Sequence, residues 1–97
     1  MVPRVQIETL QEVIAATYGD RDAERGKPAT VAWLCEEMGE LAQAVRKGTR
    51  EQQLHELGDV LAWLASLAHQ LDLSLEDAVA RYANGCPRCS TMPCSCP

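Results

Sequence analysis

The sequence contains no phenylalanine, only two tryptophans and two tyrosines, and no apolar run long enough to span a bilayer. It also lacks a basic surplus, because 9 Lys and Arg stand against 14 Asp and Glu, for a net charge of −5. A protein that binds DNA or RNA needs a basic face, so we expect no nucleic-acid polymer as a partner. The N-terminus has no signal-peptide core, and we predict a cytoplasmic protein without a membrane partner.

Strand-like alternation is also missing, and apolar residues recur every three or four positions instead. A charged segment over 19–28 is expected to connect the first two helices. Gly48 and a capping box of Thr49 and Gln52 separate the second helix from the third. The spacing predicts helices over 5–18, 29–47 and about 50–71, and a short fourth helix from Ser74 to about Asn84.

The apolar stripes of the second and third helices are wider than one hairpin can cover. For example, Val60 and Leu67 widen a face already formed by leucines of the third helix. An uncovered apolar surface of this kind usually marks an interface. We therefore predict an all-α domain over 1–85, an antiparallel helical hairpin with two shorter flanking helices. Two such hairpins would pair in a homo-oligomer, a dimer or tetramer, as a four-helix bundle.

Five acids lie in the short segments "EEMGE" and "ELGD" on either side of the hinge, and they equal the whole acidic surplus: Glu36, Glu37, Glu40, Glu56 and Asp59. At about 100° per residue, Glu37 and Glu40 share one face of their helix, as Glu56 and Asp59 do on the next. Glu40 and Glu56 lie at similar distances from the hinge, so the four acids would converge and favour Mg²⁺ or Mn²⁺. The alternative is a solvated acidic surface, although no base follows Glu37, Glu40 or Asp59 at helical spacing.

This arrangement is similar to the E-E-x-x-E…E-x-x-D signature of the MazG family over about residues 5–82. The resemblance implies an all-α, Mg-dependent enzyme that hydrolyses (deoxy)nucleoside triphosphates to the monophosphate and pyrophosphate, and the removal of non-standard nucleotides is the role expected at the level of the family. It implies that Glu37, Glu40, Glu56 and Asp59 bind the metal. Glu36 would orient the attacking water or hold a further ion. It also implies that helices of two chains build the site.

Five further residues are candidates for substrate contacts: Trp33, Trp63, Lys47, Arg81 and Asn84. The tryptophans follow the acids by one more turn and could stack a base, or they could simply pack. Lys47 and Arg81 could meet phosphates or remain solvated. Asn84 could contact phosphates or cap the last helix. His55 is expected on the surface, pointing away from Glu56 and Asp59.

The segment 86–97 is rich in Cys, Pro and Ser and has no helical periodicity. Cys86, Cys89, Cys94 and Cys96 could hold a structural zinc ion. Two disulfides and a disordered tail are the alternatives. The second function class that fits the sequence is a non-catalytic, helical interaction module with a zinc-binding tail.

Overall fold

A computed structural model describes residues 4–97, so the first three residues of the predicted 1–85 domain lie outside it. Residues 4–97 form helices and no strand, which confirms the all-α class. None of these helices is both long and apolar enough to cross a membrane. The elements are α1 (Ile7–Arg25), α2 (Lys27–Lys47), α3 (Arg50–Gln70), α4 (Leu75–Val79) and a 3₁₀ turn (Ala80–Tyr82).

The predicted connection over 19–28 is wrong, because α1 continues through most of it and ends at Arg25. Gly19 lies inside the helix, whereas Gly26 has a φ of 85° and ends α1. That conformation favours glycine, and Pro28 then occupies the first turn of α2, where its missing N–H costs nothing. The longer α1 matters for the site because it carries Asp22 and Arg25 alongside α3.

The hinge between α2 and α3 is short and well capped. The Thr49 backbone N–H donates to the Gln52 side chain at 2.8 Å, and the Gln52 N–H donates to the Thr49 hydroxyl at 3.2 Å. The predicted capping box is therefore confirmed. Only two residues separate the end of α2 from the start of α3, which makes the two helices antiparallel neighbours.

Helix α3 is the centre of the fold and packs against both α1 and α2. The buried apolar residues of the described chain are few and mostly small: Ile14, Ala44, Val60, Ala65 and Ala68. Two polar ties add to this core. Buried Thr30 on α2 accepts from the Gln70 amide of α3 at 2.7 Å and donates to the Gly26 carbonyl at 3.0 Å. The Gln11 side chain donates to the Leu73 carbonyl and accepts from the Leu75 N–H. These hydrogen bonds hold the α3–α4 turn against α1.

The leucine stripe of α3 faces outward in this chain. Leu57 and Leu61 are 48% and 46% exposed, whereas Val60 is 5% exposed and lies in the core. On α2, Met38 and Val45 are likewise exposed. The buried apolar residues of α2 and α3 are thus mostly small, whereas many of the large apolar ones lie on the surface.

Candidate metal-binding active site

The hinge brings acids of α2 and α3 together, as their equal distances from Gly48 predict. Carboxylate oxygens of Glu37, Glu40 and Glu56 lie within 4.8 Å of one another. Glu56 also belongs to a second group, with Asp59 and His55, in which the ligand atoms are equally close. Glu56 therefore links four acids into one cluster that runs across the two helices.

Two carboxylate oxygens in this cluster are hidden from solvent without a hydrogen-bond partner, Glu37 Oε2 and Glu56 Oε2. Loss of hydration raises the pKa of Glu37, and the nearby charges of Glu40, Asp59, Glu56 and Glu36 raise it further. Loss of hydration also raises the pKa of Glu56, and the adjacent Glu40 carboxyl adds to the effect because it can share a proton with the neutral form. The cluster is therefore electrostatically costly when all its members are ionised.

Such a set of oxygens fits a hard divalent cation. Ions such as Mg²⁺ and Mn²⁺ take carboxylate oxygens as ligands, and a cation would provide the partner that Glu37 Oε2 and Glu56 Oε2 lack. Ordinary surface acids are hydrated or paired with Lys or Arg, and no such ion pair with these acids occurs among residues 4–97. The donor set is compatible with the predicted metal, and Glu36, which is exposed, lies beside it on α2.

His55 does not point away from the acids, so that expectation is wrong. Its Nε2 lies 3.3 Å from Asp59 Oδ2, an ion pair when the imidazole is protonated. The two residues are four apart on α3, a spacing that brings side chains together on a helix. This spacing could have predicted the contact from the sequence, and in the structure the contact orients the Asp59 carboxylate.

Trp33 and Trp63 stack on each other, with centroids 5.8 Å apart and planes 9° from parallel. Rings at this distance are in stacking contact, so a base cannot lie between them unless they separate. Trp33 is 45% exposed. Trp63 is also covered by the Arg25 guanidinium, which lies 4.8 Å from its ring centroid and pairs with buried Asp22.

Asp22 and Arg25 are the site residues that sequence reasoning missed, because it placed them in a loop. Together with Arg21, Asp59 and Trp63 they line a cavity of about 240 Å³ between α1 and α3. Asp22 is 1% exposed, and its Oδ2 has no hydrogen-bond partner. Asp22 and Arg25 are three residues apart, a spacing that would have predicted their contact if α1 had been extended to Arg25. The cavity therefore has the basic side chains of Arg21 and Arg25 beside Asp59, a member of the acidic cluster.

The remaining candidates for substrate contacts are Lys47, Arg81 and Asn84, and they differ in their surroundings. Lys47 lines a depression of about 430 Å³ at the hinge together with Glu40 and Glu56. Arg81 lies over the ring of Tyr82, at 5.4 Å from its centroid. Asn84 is exposed beyond the 3₁₀ turn. Lys47 is thus the one of these three that shares a depression with the acids.

The four tail cysteines form a separate group, with their sulfurs all within 4.8 Å of one another. Such a cluster is compatible with zinc binding. It is chemically distinct from the acidic cluster, since it offers soft sulfur rather than hard oxygen ligands.

A comparison with models of known protein families gives a match. The family model of the MazG nucleotide pyrophosphohydrolase domain matches residues 25–88, which is well over half of the chain and includes both acidic segments. No curated protein shows a significant match. The resemblance seen in the sequence is therefore confirmed, and the chain belongs to the MazG family of nucleotide pyrophosphohydrolase domains.

Proposed function

We propose that this protein hydrolyses a nucleoside triphosphate to a nucleoside monophosphate and pyrophosphate, with Mg²⁺ as the preferred metal and Mn²⁺ as a substitute. The observation that carries the proposal is the acidic cluster with two hidden, unpartnered carboxylate oxygens. It lies within the segment that matches a nucleotide pyrophosphohydrolase domain. A purely structural role for these acids would leave their mutual repulsion uncompensated.

The proposed metal ligands are Glu37, Glu40, Glu56 and Asp59. When bound, Mg²⁺ would offset negative charge on the triphosphate and acidify a bound water. The carboxylates fix where the phosphates meet the protein, since positioning and charge stabilisation are most of what phosphoryl chemistry requires. Glu36 is exposed next to the cluster, where its carboxylate would accept a hydrogen bond from the attacking water and orient it.

The residues around the cluster suggest where the substrate would lie. Arg21 and Arg25 line the cavity beside Asp59, and Lys47 lies with Glu40 at the hinge. These cations would attract the phosphates from two sides. The exposed Trp33 offers a ring face for the base. We assign Arg81 and Asn84 no direct contact with the acids, although a partner chain would change their surroundings.

A homo-oligomer is part of the proposal. Seven exposed apolar side chains on α2 and α3 form an extended apolar surface: Val31, Met38, Val45, Leu54, Leu57, Leu61 and Leu64. The core beneath them consists mostly of small residues, so it stabilises a chain of this length only modestly. Pairing two hairpins through this surface would form a four-helix bundle and would bring a second chain close to the acids.

The reaction is tested by incubating the protein with each nucleoside triphosphate and Mg²⁺ in ¹⁸O-labelled water. We expect monophosphate and pyrophosphate, with the label showing which phosphorus is attacked. Glu40→Gln should lower kcat by at least about 100-fold, because it removes a proposed ligand without changing side-chain size. Glu12→Gln, an exposed acid on α1, is the matched control and should keep the full rate.

Two results would refute this proposal: a diphosphate product with orthophosphate, or no turnover of any triphosphate tested. Calorimetry with Mn²⁺ and a nonhydrolysable triphosphate then separates the two function classes. Absence of metal binding at the acids would favour the alternative, a non-catalytic helical interaction module in which the zinc-binding tail docks a partner and the acids are solvated. Light scattering at micromolar concentration tests assembly, and a folded monomer would contradict the predicted bundle.

A further inference from the structure

The tail after Gly85 brings four thiols into one compact group. Cys86 Sγ lies 3.7 Å from Cys96 Sγ, and Cys89 Sγ lies 3.9 Å from Cys94 Sγ. All five cysteines of the described chain are free. A disulfide requires sulfurs about 2.05 Å apart, so the sulfurs are close neighbours without being bonded.

These separations match a tetrahedral metal site. Zinc–sulfur bonds of about 2.3 Å place neighbouring sulfurs of a regular tetrahedron about 3.8 Å apart. The two closest pairs, at 3.7 and 3.9 Å, lie on either side of this value. The other sulfur pairs are also short, since one atom from each cysteine falls within 4.8 Å of all the rest.

The backbone of the tail holds the sulfurs in this arrangement. Cys86 and Cys89 lie on one turn, in which the Ser90 N–H donates to the Cys86 carbonyl at 2.7 Å and the Cys86 N–H donates to the Thr91 carbonyl at 3.1 Å. The turn needs Gly85, because its φ is 101° and an added Cβ would lie 2.6 Å from the Thr91 oxygen.

Backbone donors also point at two of the sulfurs. The Ser95 N–H donates to Cys89 Sγ at 3.3 Å, and the Cys96 N–H donates to Cys94 Sγ at 3.4 Å. These two hydrogen bonds fix the positions of the Cys89 and Cys94 sulfurs relative to the backbone of the tail.

We propose that Cys86, Cys89, Cys94 and Cys96 bind one zinc ion as a structural site. Zinc replaces the proton of each thiol that is still protonated, and the released protons pass to solvent. Four cysteine ligands complete a tetrahedron and leave no position for water, so the ion orders the tail and takes no part in hydrolysis. The site is independent of the acidic cluster, whose oxygens prefer harder cations.

Metal analysis of the full chain tests this proposal without any substrate. Protein purified under reducing conditions, without a histidine tag, should contain one zinc ion per chain. Cys89→Ser and Cys96→Ser should each lower the zinc content to below about a tenth of an ion per chain, because three sulfurs no longer close the site. Cys35→Ser is the matched control, since Cys35 is an exposed cysteine on α2 outside the group, and it should retain the zinc.

Thiol reactivity and cobalt substitution provide a second readout that does not depend on how the variants fold. In the zinc-loaded wild-type protein, only Cys35 should react rapidly with a thiol reagent, and chelation should release the other four. Cobalt(II) added to the metal-free protein should give the visible absorption of a tetrahedral thiolate site. Five rapidly reacting thiols without zinc, two disulfides found by mass spectrometry, or stoichiometric iron instead of zinc would each overturn the proposal.

Discussion

Glu37→Gln provides a direct measure of the repulsion inside the acidic cluster. Two unit charges 4.8 Å apart repel each other by about 1 kcal/mol at the dielectric constant of water, and Glu37 has Glu40 and Glu56 within this distance. Screening by salt and the partly exposed position of the group reduce the total to about 0.5–1 kcal/mol. The glutamine amide can also donate to a neighbouring carboxylate, so the metal-free variant should be more stable than the wild type.

The assay is thermal unfolding in chelator at low salt, with both proteins at the same concentration because an oligomer's melting temperature depends on it. For a chain of this length, the expected gain raises Tm by roughly 2–8 °C. Added Mg²⁺ should then stabilise the wild type more than the variant, since the variant lacks a proposed ligand. Glu12→Gln should change Tm little in either condition.

The opposite result would refute the reasoning. If Glu37→Gln destabilised the metal-free protein, and Mg²⁺ still stabilised the variant as much as the wild type, the Glu37 carboxylate would be a structural acceptor. The proposed ligand set would then lose one of the two members that have a hidden, unpartnered oxygen. A gain in stability at high salt equal to that at low salt would also contradict an electrostatic origin.

Three further predictions test other parts of the structure. The pKa values of Glu37 and Glu56 are raised in the folded state, and that of Glu76 is raised by its hydrogen bond with the Glu8 carboxyl. These three groups should therefore contribute stability to the metal-free protein that is fully present below the unfolded value of 4.5 and is lost as the pH rises through the folded values. Denaturant titrations over this pH range measure the loss, and Mg²⁺ should reduce the part that comes from Glu37 and Glu56 but not the part that comes from Glu76. Gly48→Ala should destabilise the fold by about 1–3 kcal/mol, because a Cβ there would lie 2.8 Å from the Ala44 carbonyl oxygen. Thr49→Ala removes the cap of α3 and should cost about 1 kcal/mol in the same titration.

The hinge could be predicted from sequence because its signals are local. Gly48, Thr49 and Gln52 are adjacent in the chain, and their cap depends on backbone geometry that neighbouring residues set. Counting outward from the hinge also placed Glu40 near Glu56 and Trp33 near Trp63 from the sequence alone. Short antiparallel connections make such counting reliable, since residues at equal distances from the turn must lie side by side.

The outward direction of the leucine stripe could not be predicted in the same way. Helical periodicity shows that Leu57 and Leu61 share a face, but it does not say whether that face meets the same chain or another one. The end of α1 was missed for a similar reason. The charged residues between Gly19 and Gly26 resemble a loop in composition, whereas the contact of Arg25 with Trp63 and the burial of Asp22 depend on α3.

The acidic cluster can exist in this small domain because the hairpin is held on both sides of it. At one end, the capped hinge joins α2 to α3 through only two residues. At the other end, the buried bond between Thr30 and Gln70 joins the same two helices, and the stacked Trp33 and Trp63 lie between that bond and the acids. The repulsion between carboxylates acts to separate helices that are fixed above and below it. The stability of the domain therefore comes from residues other than the acids, which leaves the acids free to bind the cation that we propose.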